Sequence, residues 1–325
     1  MSTTTNPDNI TTALTSAVPT PTIGPSEVAQ PPTQPEPTQA GKEMLLKPPK
    51  KPIPTHFLCI PLVTPISRPQ LASSLSAFRT DVCGPPALGG YDLPADAVRP
   101  VGTLHLTLGV MSFPRGEEGE EKLARAREVL AGLGLRELWR EAVRNKPVMP
   151  GTEAQGQGQR KEEEEEEGKG RPKITLRGLA SMQTPNKAAV LYASPVDQLG
   201  LLQGFCEKVR DRFTEAEVMV DEGRPLLLHA TVVNTVYVKG NKRTGEAGSN
   251  IKGRGGRGGR GGRGGGKKWE RLVFDATGII DRYEDHVWME DVPLEKVAIC
   301  RMGAKKLVVD GEEDEEYEVE AEVGF

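Results

Sequence analysis

Two stretches decide how this chain is read: Leu104-His105-Leu106-Thr107-Leu108-Gly109 and Leu228-His229-Ala230-Thr231-Val232-Val233. Each is an apolar run interrupted by a histidine and, two residues later, a threonine. In a β-strand, residues i and i+2 share a face. His105 and Thr107 therefore stand on one surface while Leu106 and Leu108 face the other, and His229 and Thr231 stand likewise over Ala230 and Val232. The chain has only four histidines, so the two copies use half of them. His56 and His286 lack the threonine partner and read as packed residues.

Two such strands brought together about a pseudo-twofold axis would flank a central site with two imidazoles and set two hydroxyls between them. The chemistry that fits is in-line attack at phosphorus. One neutral histidine takes a proton from water or a ribose hydroxyl, and the other, protonated, gives one to the leaving oxygen. The threonine hydroxyls of Thr107 and Thr231 would donate to the non-bridging oxygens where charge builds. This scheme requires no metal and no cofactor, and it leaves open which histidine is acid and which base. Four cysteines without a C-x-x-C pair (Cys59, Cys83, Cys206, Cys300) suit reduced thiols rather than a zinc site or a disulfide framework.

Outward from the motifs, strands and helices alternate in two comparable halves. In the first, a strand at Phe57–Leu62 is followed by a helix over Arg68–Val82 with Ser67 as its cap, the motif strand Thr103–Met111, and a helix over Glu120–Leu138. In the second, paired strands at Ile174–Met182 and Ala188–Ala193 precede a helix over Leu199–Val218 and a long motif strand from Leu226 to Val238. Appended to it are a strand at Trp269–Phe274, a short helix capped by Asp275, and a closing hairpin of Val297–Arg301 with Lys305–Val309. The expected fold is α+β and bilobal, two pseudo-twofold-related halves around a cleft.

The chain holds 325 residues, 36% apolar and 27% charged, with a formal charge of −4, enough for one or two buried cores. No stretch approaches the roughly 18–20 apolar residues of a membrane span. Residues 1–52 carry eleven of the 27 prolines and no aromatic, and read as a disordered tail. Within that tail, Lys47-Pro48-Pro49-Lys50-Lys51 reads as solvated linker, with a weak nuclear import signal as the alternative. The folded domain is expected over 53–309, with low-complexity insertions at 145–172, including Glu162–Glu167, and at 240–268. Residues 310–325 hold nine acids and no base and read as an acidic tail.

The two motifs in order, with Thr55-His56-Phe57-Leu58-Cys59-Ile60-Pro61-Leu62 ahead and Phe274-Asp275-Ala276 behind, resemble the 2H phosphoesterase superfamily. Within it they look like the A-kinase anchor protein 7-like branch, which also occurs in a subunit of the activating signal cointegrator 1 complex. The resemblance implies metal-independent phosphoesterase action on cyclic or 2′,5′-linked phosphodiesters of RNA or nucleotides, with His105 and His229 as the acid/base pair and Thr107 and Thr231 holding phosphate. It does not carry protein kinase A anchoring with it. That function needs an amphipathic helix, and Glu318–Glu320 alternates like a frayed strand.

Phe57 and Tyr237 are candidates to stack on a base, Tyr237 because an even separation from His229 puts it on the motif face of an unbroken strand. Gly253–Gly266 places Arg254, Arg257, Arg260 and Arg263 at three-residue spacing among ten glycines. Such a segment pairs with phosphates and stacks on unpaired bases. The expected partner is an RNA or nucleotide phosphodiester, alongside possible protein complex subunits, in the nucleus or cytoplasm. The contrasting reading is a non-catalytic RNA-binding or assembly module.

Overall fold

The computed structural model describes residues 52–145, 171–220, 223–238 and 271–325. The proline-rich tail, Lys47–Lys51, Glu162–Glu167 and the Gly/Arg segment with Arg254, Arg257, Arg260 and Arg263 lie outside the described residues.

Ten strands and five helices are described. In chain order they are β1 (His56–Pro61), α1 (Ser67–Val82), β2 (His105–Met111), α2 (Glu117–Ala131), α3 (Leu135–Arg144), β3 (Lys173–Ser181) and β4 (Val190–Val196). Then follow α4 (Leu202–Glu215), β5 (Ala230–Asn234), α5 (Thr277–Arg282), β6 (Val287–Pro293), β7 (Lys296–Arg301), β8 (Lys305–Val309), β9 (Glu312–Glu316) and β10 (Val319–Gly324). Eight strands form one antiparallel sheet in the order β10-β7-β1-β2-β5-β4-β3-β6. It divides into two four-stranded halves that meet at the two motif strands, where Leu106 pairs with Ala230. The expected α+β architecture with two related halves is present.

Alternation, reset once by a β-bulge at Leu108 of β2, separates the faces. Leu58 and Ile60 of β1, Leu106 and Leu108 of β2, and Val297 and Ile299 of β7 enter the main core, with Leu71, Leu75 and Phe78 of α1 and Phe205 and Val209 of α4. On the opposite face Phe57, Cys59, Ala298 and Cys300 form a small apolar platform with Val110 and Tyr317. That face also carries His105 and Thr107.

Several expected elements differ, each for a local reason. The single helix over Glu120–Leu138 is two, since Gly132 and Gly134 between α2 and α3 are poor helix formers. Ser67 is not a solvent-side cap. It lies buried in the first turn, where its hydroxyl donates to the Leu62 carbonyl at 2.6 Å and Thr64 Oγ1 accepts its N–H. The long strand Leu226–Val238 shrinks to five residues, because Asn234 Oδ1 accepts the Val236 N–H and turns the chain into a 3₁₀ segment at Thr235–Tyr237. The strand at Trp269–Phe274 is reduced, within the described residues, to a bridge between Phe274 and Ala188.

The largest correction concerns the C-terminus. β7 does not pair with β8; it lies between β1 and β10, and β8 pairs with β9 across Asp310-Gly311, both at positive φ. That two-residue turn matches the right-handed strand twist. Residues 310–325 are therefore not an acidic tail: β10 completes the sheet and Phe325 is buried. The domain runs on to Phe325.

Candidate active site

Counting one residue outward from the Leu106–Ala230 pair sets His105 toward Thr231 and Thr107 toward His229. The four side chains then alternate across the junction of the halves, and the two histidines stand on a diagonal, about 7–8 Å apart for antiparallel neighbours. All four are half-buried, while Leu106, Ala230 and Val232 behind them are buried.

The two imidazoles are held in the same way. His105 Nδ1 lies 2.7 Å from the Thr103 carbonyl and His229 Nδ1 lies 2.8 Å from the Leu227 carbonyl, in each case two residues back. A carbonyl only accepts, so each Nδ1 carries the proton and donates it. Each neutral ring thus keeps its Nε2 lone pair for chemistry. Among the described residues neither the Thr107 nor the Thr231 hydroxyl has a hydrogen-bond partner, which leaves both free to donate to a ligand.

The surroundings differ. His105 packs against Phe57 at 4.8 Å and against the edge of Tyr317 at 5.3 Å, ring centroid to centroid. Burial pushes its pKa down to about 4; the Thr103 carbonyl works against this, and the positive charges of His229 and Arg99 add to it. His229 meets Tyr192 at 5.4 Å, and Tyr192 pairs with Thr231 across β4 and β5. Its pKa is also lowered, by burial first and by Arg224, with the Leu227 carbonyl opposing.

Phe57, read from sequence as a base-stacking candidate, is 4% exposed. It supports the His105 ring from within the platform and has no open face for a base. Tyr237 reaches the site by a route the sequence reading did not contain. The strand ends before it, but the 3₁₀ turn carries its ring over the Arg99 guanidinium at 3.8 Å. Three residues escaped the sequence reading altogether: Arg99, Tyr192 and Tyr317. Tyr192 had a signal, since alternation in Leu191-Tyr192-Ala193 sets its ring opposite to two core residues. Arg99 and Tyr317 lie in segments whose local patterns point elsewhere.

The fold sets two histidine–threonine pairs at the junction of its two sheet halves, and the family to which such a chain belongs follows from its sequence. Residues 54–325 match the model of the AKAP7 2′5′ RNA ligase-like domain, and the chain belongs to that family. A curated relative, the uncharacterized protein C15D4.13c of Schizosaccharomyces pombe, is 26% identical over 132 residues, covering 40% of this chain. The match spans about half of that relative's length (49%). Among solved structures, E. coli LigT complexed with 3′-AMP is 14% identical with a TM-score of 0.35, over 83% of this chain and 97% of LigT. TT0787 of Thermus thermophilus is 15% identical with a TM-score of 0.36, over 83% of this chain and 97% of that protein.

Proposed function

We propose that the chain is a metal-independent phosphodiesterase acting on cyclic or 2′,5′-linked phosphodiesters of RNA or nucleotides. The carrying observation is the repeated geometry: two Nδ1-anchored imidazoles set on a diagonal across the β2–β5 junction, each with a threonine hydroxyl beside it that has no hydrogen-bond partner among the described residues. His105, more deeply depressed and beside Arg99, is neutral at pH 7 and acts as general base on water through Nε2. His229 delivers a proton to the leaving oxygen as the P–O bond breaks, from its protonated form, which its lowered pKa makes the minor form at pH 7. Thr107 and Thr231 hold the non-bridging oxygens. Side chains supply every role, so EDTA should not reduce the rate.

The test is incubation of the full chain, with EDTA and no added metal, with RNAs ending in a 2′,3′-cyclic phosphate and with 2′,5′-linked oligoadenylate. Product formation supports the reading. Binding without product, from folded protein, would favour an RNA-binding or assembly module instead.

The pH profile offers a second check. The reactive form needs His105 neutral and His229 charged, so kcat/KM should form a bell between pH about 4 and a point below 6.5. An optimum on the alkaline side of 7 would contradict these roles.

The Gly/Arg segment is proposed to help capture RNA. Deleting residues 253–266 should weaken RNA binding and lower the slope of log K against log salt by about 0.7 for each single-strand phosphate that the segment neutralises. A salt series by fluorescence anisotropy measures it, and an unchanged slope removes the segment from the binding surface.

A further inference from the structure

Arg99 is a guanidinium buried to 5% exposure whose Nη2 has no hydrogen-bond partner among the described residues. Buried donors are nearly always satisfied, and a buried charge left short of acceptors is costly. The nearest counter-charge, Glu315 Oε2, stands 3.9 Å from Nη2, beyond hydrogen-bonding reach. Glu315 belongs to β9, and its side chain is 27% exposed, so it can swing toward solvent.

The backbone under Arg99 is fixed to the site. Val98 bridges to Val233 and the Arg99 N–H donates to the Val232 carbonyl at 2.8 Å, just past Thr231. Arg99 depresses the pKa of His105, whereas the cation acting on His229 is Arg224. The guanidinium is thus close enough to act on His105, from a segment anchored beside Thr231. One of its faces is covered by Tyr237, a residue 42% exposed, and the Tyr317 hydroxyl interacts with both groups. The reacting phosphate already has two hydroxyls and two imidazoles. Arg99 is left for another anion, and a planar guanidinium fork beside an open aromatic face suits a phosphate with an attached nucleoside.

We infer that Arg99, Tyr237 and Tyr317 form a second subsite that takes a further phosphate, with its base on Tyr237, so that the preferred substrates are nucleotides phosphorylated beyond the reacting diester. Glu315 occupies the phosphate position until the ligand displaces it. This deepens the phosphodiesterase reading and rests on it.

Titration calorimetry on the full chain with adenosine 3′-phosphate and adenosine 3′,5′-bisphosphate tests the subsite without needing turnover. The wild type should bind the bisphosphate at least about tenfold more tightly. Arg99→Gln should abolish that preference while leaving adenosine 3′-phosphate within about twofold, and Arg99→Lys should keep only part of it. Glu315→Gln, at a partly exposed side chain, should tighten bisphosphate binding even if Arg99→Gln proves unstable. Equal binding of the two nucleotides, failure to bind either, a preference that survives Arg99→Gln, or no gain from Glu315→Gln would overturn the subsite. Equal weakening of both nucleotides would place Arg99 on the reacting phosphate instead and would likewise overturn it. A wild type that keeps the preference but never turns over a cyclic phosphate would refute the phosphodiesterase reading and leave the subsite standing.

Discussion

His105→Ala and His229→Ala are each expected to lower kcat on a cyclic phosphodiester by roughly 10²–10⁴-fold, the usual worth of a positioned acid or base. The double variant should fall little further, because the two imidazoles act as one relay and removing either stops it. The fold should survive. Both side chains are half-buried on the platform face, and the residues that bind the strands together, Leu106, Ala230 and Val232, point the other way. His105→Gln offers a variant nearer in volume where His105→Ala would loosen the packing with Phe57 and Tyr317. Single-turnover rates with thermal melts measure the effect. Retained RNA binding with lost turnover is the expected pattern. Losses under tenfold in both variants would mean that the pair is not the acid/base relay.

The placement of the motif side chains was legible because its code is local. A period of two in Leu104–Leu108 and Leu228–Val232 separates core from site without reference to any distant residue. The same logic over-extended β5, since the Asn234 side chain that ends the strand bonds the chain two residues ahead and leaves no trace in hydrophobic patterning. The C-terminus was illegible for a different reason. Nine acids within sixteen residues look solvated by composition. Yet Asp314 is satisfied by Arg68, 246 residues away, and Glu320 by Arg127, 193 residues away. Charge balance between distant segments cannot be read from a window. One local signal was present: Asp310-Gly311 between Lys305–Val309 and Glu312–Glu316 is a strong hairpin marker, and it competed with the weaker turn at Met302-Gly303-Ala304. Arg99 sits one residue before Pro100 in an irregular stretch, where no periodicity singles it out.

A chain ending at Val309 is expected to lose its cooperative melt and its activity together. Residues 310–325 cover the edge of β7 from Val319–Cys300 to Gly324–Lys296, so removing them exposes an unpaired edge strand. They bury Phe325 against Phe205, ring centroids 5.5 Å apart, which is worth about 2 kcal/mol of apolar burial by itself. Glu320, with a side chain only 8% exposed, accepts from Arg127 at 2.7 Å and from Arg301, and faces His56 Nε2 at 3.6 Å. Burial alone would raise the Glu320 pKa, but the two guanidiniums outweigh it and hold it below the usual glutamate value. Its stabilising contribution is therefore complete above the unfolded pKa near 4.5 and is lost as pH falls through the lowered folded value. Both arginines are about half exposed, so Glu320→Ala should cost only about 1–2 kcal/mol. The link to catalysis runs through Gly102. Its N–H donates to Asp314 Oδ1 at 3.0 Å, and a Cβ there would fall 2.4 Å from the Glu315 carbonyl oxygen. The C-terminal segment thus lies directly on the turn that leads into His105 and lays Tyr317 against its ring. Gly102→Ala should accordingly reduce turnover more than it reduces the melting temperature. A chain truncated at Val309 that melted at the wild-type temperature and kept wild-type turnover would show these residues to be the dispensable tail that their composition suggests.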